Sequence, residues 1–162
     1  MTRTTFAALA FAALCTPLFA HDYKVGDLTI DHPFAFETPT TAMTGGGFLT
    51  ITNMGETDDR LLAVEADYPR VEIHTTVMED SIARMQQVEA VDLPAGETVT
   101  LAPGGMHIMF MGLRGTPFVA GESFDATLIF EQAGRLDVTF SIEERTADTM
   151  GGMSHGAHGM GN

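Results

Sequence analysis

Two kinds of side chain in this sequence could do chemistry: imidazole and thioether. Between Met106 and Gly112 the chain reads MHIMFMG. In an extended strand alternate side chains share a face, so Met106, Ile108 and Phe110 project one way and His107, Met109 and Met111 the other. A His and a Met two residues apart then stand side by side, close enough to share one metal ion. Upstream, VEIHTTVM alternates in the same way. Val71, Ile73, Thr75 and Val77 form one face, with Glu72, His74, Thr76 and Met78 on the other. His74 therefore faces away from the core or stands at its rim. Met85 lies in the next run, which is able to pair with the His74 strand as a hairpin. Taken singly, each residue has an ordinary explanation. A strand His is commonly hydrogen-bonded or solvated, and a Met commonly fills a gap in a core.

These residues need strands to position them, and the pattern supplies strands. Short alternating runs separated by Gly, Pro, Asn and Asp occupy the middle of the chain, with no sustained helical period. The expected strands are Leu28–Phe36, Gly47–Asn53, Arg60–Ala66, Arg70–Met78, Ala83–Val91, Glu97–Leu101, Met106–Gly112, Ser123–Phe130 and Leu136–Glu143. The last two alternate most cleanly, through Phe124, Ala126, Leu128 and Phe130 and then Leu136, Val138, Phe140 and Ile142, with Glu131–Gly134 as the turn. Short strands at this spacing predict an all-β antiparallel sandwich or barrel with Greek-key connections.

The chain has 162 residues and a formal net charge of −14, from 22 acidic and 8 basic side chains. That length suits one domain with extensions. The charge excludes nucleic acid as a partner, since phosphate binding needs clustered Lys and Arg, and it disfavours anionic lipid. Residues 1–20 carry Arg3, an apolar run from Phe6 to Leu14, and small residues ending at Ala20. This reads as a secretory signal peptide cut before His21. The run is too short to span a bilayer as a mature helix, and no later apolar stretch is long enough for stable membrane insertion. The one cysteine, Cys15, falls inside the signal. Leu14 precedes it where a lipidation signal needs a small residue. The exported chain then has no thiol, which excludes thiol-redox chemistry and a blue-copper centre.

The domain is expected over residues 21–145, and residues 146–162 differ from it in composition. Residues 150–160 read MGGMSHGAHGM, which offers little to bury and predicts a flexible tail. Its chemically active groups are Met150, Met153, His155, His158 and Met160. These soft and borderline donors suit Cu(I) or Cu(II), so the tail is a candidate auxiliary copper site.

The joint spacing of the strand residues is more specific than any one of them. His74, Met85, His107 and Met109 fit H-x10-M-x21-H-x-M, and this resembles the PCuAC-type periplasmic copper chaperones. The segments DHPFAF, GGGFLTITNMGETDDRL, VEIHTT and LPAGETVTLAPGGMHIMFMGL share that family's look, so the resemblance covers residues 22–142. Met106 stands where many members have an aromatic residue, and Phe34 and Phe36 where Trp and Arg are common. The resemblance implies a cupredoxin-like fold in which the four residues bind one Cu(I). It also implies delivery to the dinuclear copper centre of cytochrome c oxidase, either on its copper-bearing subunit or through a thiol-bearing copper assembly factor, in the periplasm. The donor chemistry agrees: two thioethers and two imidazoles are a neutral, soft set that favours Cu(I) without the oxidisable thiolates of other copper sites.

Two other functions fit parts of the sequence. A copper buffer or resistance protein would hold most of its metal on the tail and transfer none. An oxidative copper enzyme would use His21, whose free amino group and imidazole chelate Cu(II), with His32 as the nearest second His. No Ser-His-Asp order or paired carboxylates suggest a hydrolase, and the expectation is a non-enzymatic carrier.

Overall fold

In the computed structural model, residues 22–79 and 82–146 are described. Eleven strands make up the architecture: β1 (Tyr23–Val25), β2 (Leu28–Phe36), β3 (Thr44–Asn53), β4 (Asp59–Ala66), β5 (Arg70–Glu79), β6 (Ile82–Gln87), β7 (Val91–Leu93), β8 (Thr98–Leu101), β9 (His107–Met111), β10 (Ser123–Phe130) and β11 (Arg135–Glu143). They hydrogen-bond in the order β6-β5-β9-β3-β2-β11-β10-β4-β7, with β1 on β2 and β8 on β3. The expected all-β class holds, and eight of the nine expected strands fall where alternation places them.

The ladder folds back on itself around an aromatic interior. Phe110 on β9 and Phe124 on β10 lie four steps apart in the strand order, yet their rings are 4.9 Å apart. Phe110 also meets Phe140 at 5.7 Å, and Phe124 stacks on Phe140 at 5.4 Å. Tyr68, in the β4–β5 connection, packs its ring on Phe110, Phe118 and Phe124. Edge-to-face and offset rings of this kind add to the area they bury. Leu28, Ile30, Ile51, Leu61, Ile108 and Leu128 complete the same buried core.

Three details depart from the sequence reading. The sheet is mixed, because β11 runs parallel to β2 through Ser141↔Phe34, Ile142↔Ala35 and Glu143↔Phe36. Alternation fixes which face of a strand is buried but not the direction of a non-local neighbour. The expected strand over Ala83–Val91 is two elements: β6 pairs with β5, while β7 pairs with β4 on the far side of the ladder. Strand β3 begins at Thr44, three residues before the expected start at Gly47, and so takes in Gly45 and Gly46 as well. Those glycines serve packing. A Cβ on Gly45 would strike the Phe118 ring, and one on Gly47 would lie 2.6 Å from Phe110 Cε2.

Candidate metal centre

Strands β6, β5 and β9 bring the chemistry-bearing residues onto one outward face. In the antiparallel β5–β9 ladder His74 is paired with His107, and Glu72 with Met109. Paired residues on neighbouring strands point to the same side. The opposite sides of these strands carry Ile73, Ile108 and Phe110, all buried in the core. His74 and His107 thus stand beside one another, with ring centroids 6.1 Å apart and planes at 39°.

Hydrogen bonds fix which nitrogen each ring has left to offer. The His107 Nδ1 lies 3.1 Å from the carbonyl oxygen of Gly105. A carbonyl only accepts, so Nδ1 carries the proton and the neutral ring keeps its lone pair on Nε2. The turn ahead of β9 aims that carbonyl. Gly104 has φ +84, a backbone conformation natural to glycine, and the Gly105 amide closes the turn on Ala102 O at 3.0 Å. His74 is arranged the other way round. Its Nε2 is 2.8 Å from Glu72 Oε2, so Nε2–H donates to the carboxylate, and in the neutral ring the lone pair sits on Nδ1. That Nδ1 is buried and has no hydrogen-bond partner. An orphaned buried acceptor is unfavourable unless something occupies it, and a metal ion satisfies it.

Glu72 is itself held. Arg70 Nε lies 3.0 Å from Glu72 Oε1, and the same N–H is 3.2 Å from Met111 Sδ. The side chains of His74 and Glu72 are only 14% and 15% exposed, so this pair is shielded while Arg70 closes the outer side. Alternation places Glu72 on the His74 face, but its bond to the imidazole is a matter of side-chain conformation, which alternation does not encode. The E-x-H spacing was the available signal.

The other expected ligands are placed as follows. Met109 is half-buried on β9, opposite Glu72 and beside Gly46 of β3. Met85 lies on the edge strand β6 opposite Thr76, while His74 pairs with Gln87. It therefore shares the His74 face two positions along the hairpin, and it is 61% exposed. Met78, on the same face of β5, is 67% exposed. Met106 packs against the core on the opposite side from His107. The tail residues Met150, Met153, His155, His158 and Met160, the expected signal segment and His21 lie outside the described residues. Among the described residues no three His, Cys, Asp or Glu side chains gather as a metal cluster. The donors gathered at this face are two imidazole nitrogens and thioether sulfur, a set suited to a soft, monovalent d10 ion rather than to a hard divalent one.

Residues 28–142 match the family described as "Putative lipoprotein LpqE-like". The chain belongs to the LpqE-like family. Among curated proteins, "Putative lipoprotein Lxx21020" of Leifsonia xyli subsp. xyli is 36% identical over 75 residues, which are 46% of this chain and 45% of that protein. The chain thus matches about half the length of that relative. Among solved structures, this LpqE-like chain is similar to the copper-bound PCuAC domain from PmoF2, with 27% identity and a TM-score of 0.65 over 77% of this chain and 99% of that one. The apo PCuAC domain from PmoF1 gives 27% and 0.66 over 77% of this chain and 100% of its own. The Cu(I) form of DR1885 from Deinococcus radiodurans, at 24% and 0.58 over 76% and 81%, shares the fold. The expected resemblance to PCuAC domains and the cupredoxin-like fold are therefore found.

Proposed function

We propose that this protein is an extracytoplasmic copper chaperone that carries Cu(I) between His74, His107 and Met109, with Met85 closing over the ion from β6. The observation that carries this reading is the facing pair of imidazoles, each with one lone pair committed to no hydrogen bond. The copper-bound PmoF2 domain supports copper as the metal. Neutral nitrogen and sulfur donors hold Cu(I) firmly enough to carry it and leave it able to pass to a better-placed acceptor. The exposure of Met85 gives the acceptor access to one ligand first. Donors of this kind, neutral and soft, suit a carrier that must release its ion as well as bind it.

The recipient we propose is the copper-bearing subunit of cytochrome c oxidase, reached directly or through a thiol-bearing assembly factor. The net charge of −14 would steer a basic partner surface at low ionic strength. Met150, Met153, His155, His158 and Met160 form an auxiliary copper site in this reading, for Cu(I) or Cu(II). The lipoprotein descriptions of the relatives support an extracytoplasmic location. In this reading the signal segment is cleaved before His21 and the chain works in the periplasm.

The deciding experiment is an anaerobic Cu(I) titration against a chromogenic chelator, followed by mixing with an apo acceptor domain. One tightly held ion, lost in the H107A/M109A double variant and passed to the acceptor, is expected. Absence of tight binding overturns the reading. Tight binding without transfer would instead make the protein a copper buffer.

A further inference from the structure

We infer that Glu72 is a positioning residue that holds His74 in its Nε2–H form, so that His74 offers Cu(I) its Nδ1 while His107 offers its Nε2. The inference rests on the copper reading above and adds to it a residue and the choice of nitrogen. Three observations carry it. The Glu72 carboxylate occupies the Nε2 side of His74 at 2.8 Å, and a copper ion bound at Nε2 would have to break that bond. The other nitrogen is buried and unpartnered, so the ring has one free donor atom in a shielded place. The carboxylate is fixed from behind by Arg70 at 3.0 Å, which keeps it directed at the imidazole and balances its charge.

The ladder register makes this a unit. Glu72 pairs with Met109 and Arg70 with Met111. Arg70 therefore touches the carboxylate on its own strand and, at 3.2 Å, the Met111 sulfur on the neighbouring one. This engages the Met111 sulfur with a guanidinium N–H and leaves Met109, nearer the two imidazoles, as the thioether of β9 that serves the ion. A carboxylate behind a ligating His also raises the basicity of the ring and fixes its orientation. His107 achieves the same fixation with a backbone carbonyl on its opposite nitrogen. The two rings are therefore predicted to bind through unlike atoms.

The test is 15N spectroscopy of the imidazoles in the purified protein, before and after anaerobic Cu(I) loading, in wild type, E72A and E72Q. In wild type, the apo spectrum should show a hydrogen-bonded, slowly exchanging Nε2–H on His74. Copper should then move His74 Nδ1 and His107 Nε2. E72A should lose the protected Nε2–H and bind Cu(I) about 10- to 100-fold more weakly, the range found when an outer partner of a ligating His is removed. E72Q keeps an acceptor oxygen, so it should retain the signal and bind within a few-fold of wild type. Movement of His74 Nε2 on loading, or an E72A protein with unchanged signal and affinity, overturns the inference and leaves the copper reading standing. A wild-type protein that takes up no Cu(I) overturns the copper reading, and the nitrogen assignment with it. If E72A does not fold, the wild-type copper shifts and E72Q still decide.

Discussion

His74 and His107 are 33 positions apart in sequence and directly opposite in the β5–β9 ladder, their ring centroids separated by 6.1 Å. The spacing is set by hydrogen-bonded backbone rather than by loops. Ile73 and Ile108, on the reverse side of the same two strands, are 3% and 0% exposed and anchor that backbone to the core. A site built on packed strands keeps its geometry with little ordering left to do when the ion arrives.

Replacing His107 with Ala should weaken Cu(I) binding by well over about tenfold, because the strand offers no second imidazole and removing even an outer partner of a ligand costs about that much. The chelator titration measures it directly. Thermal unfolding of the apo variant should show the cooperative transition of wild type. An unchanged affinity would mean that His107 is buried for packing alone.

Met85 allows binding to be separated from stability. It stands on the edge strand and is 61% exposed, so Met85→Leu should change the apo folding free energy by no more than about 0.5 kcal/mol. Leu has similar bulk and no sulfur, so the Cu(I) affinity should fall while the unfolding midpoint stays put. A variant that binds as wild type does would remove Met85 from the ligand set.

Much of this site is legible in the sequence, for a specific reason. Alternation in MHIMFMG and VEIHTTVM assigns faces, and burial of Ile108, Phe110 and Ile73 follows that assignment. What alternation lacks is partnership. It gave no sign that Val91 leaves β6 to pair beside β4, or that β11 returns parallel to β2, because both depend on non-local neighbours. Glu72 was placed on the correct face, yet its bond to His74 depends on rotamers that no pattern encodes. The early start of β3 was hidden for a related reason: Gly45 lies against the Phe118 ring, which comes from elsewhere in the chain.

Gly47 offers a direct test of that packing. Its Cβ, if present, would lie 2.6 Å from Phe110 Cε2 and 3.1 Å from Phe140 Cε1. Both rings are fully buried and have little room to retreat. Gly47→Ala should therefore destabilise the fold by about 1–3 kcal/mol, the usual consequence of overpacking a core. Chemical denaturation should show a lower midpoint with an unchanged slope. A neutral or stabilised variant would show that the rings can shift.

Asn53, 2% exposed at the end of β3, organises the base of the domain. Its Nδ2 donates to Leu93 O and Thr57 O, both at 2.9 Å, and its Oδ1 accepts from the Gly55 amide at 3.0 Å. Asn53→Ala would strand the buried Leu93 carbonyl, and leaving such a group unpaired costs about 1–3 kcal/mol. The loss should appear in the denaturation midpoint without any change in apparent Cu(I) affinity, because β7 lies at the opposite end of the strand order from β6.

The exposed pair of Glu65 and Arg135 predicts one pH dependence. Arg135 Nη2 donates to Glu65 Oε2 at 2.6 Å, and that hydrogen bond holds the Glu65 carboxyl below its ordinary range. A carboxyl that is more acidic in the folded than in the unfolded chain stabilises the fold at pH values above its unfolded pKa. It loses that contribution as pH falls through the folded value. Wild type should therefore be more stable than E65Q at neutral pH, and the difference should shrink as the solution is acidified below the ordinary glutamate range. Both side chains are exposed, so added salt should shrink the difference as well. Denaturation midpoints of the two proteins at neutral and acid pH, with and without salt, provide the check. A gap that persists unchanged into acid would mean that the substitution acts through strand pairing of β4 with β10, not through the ion pair.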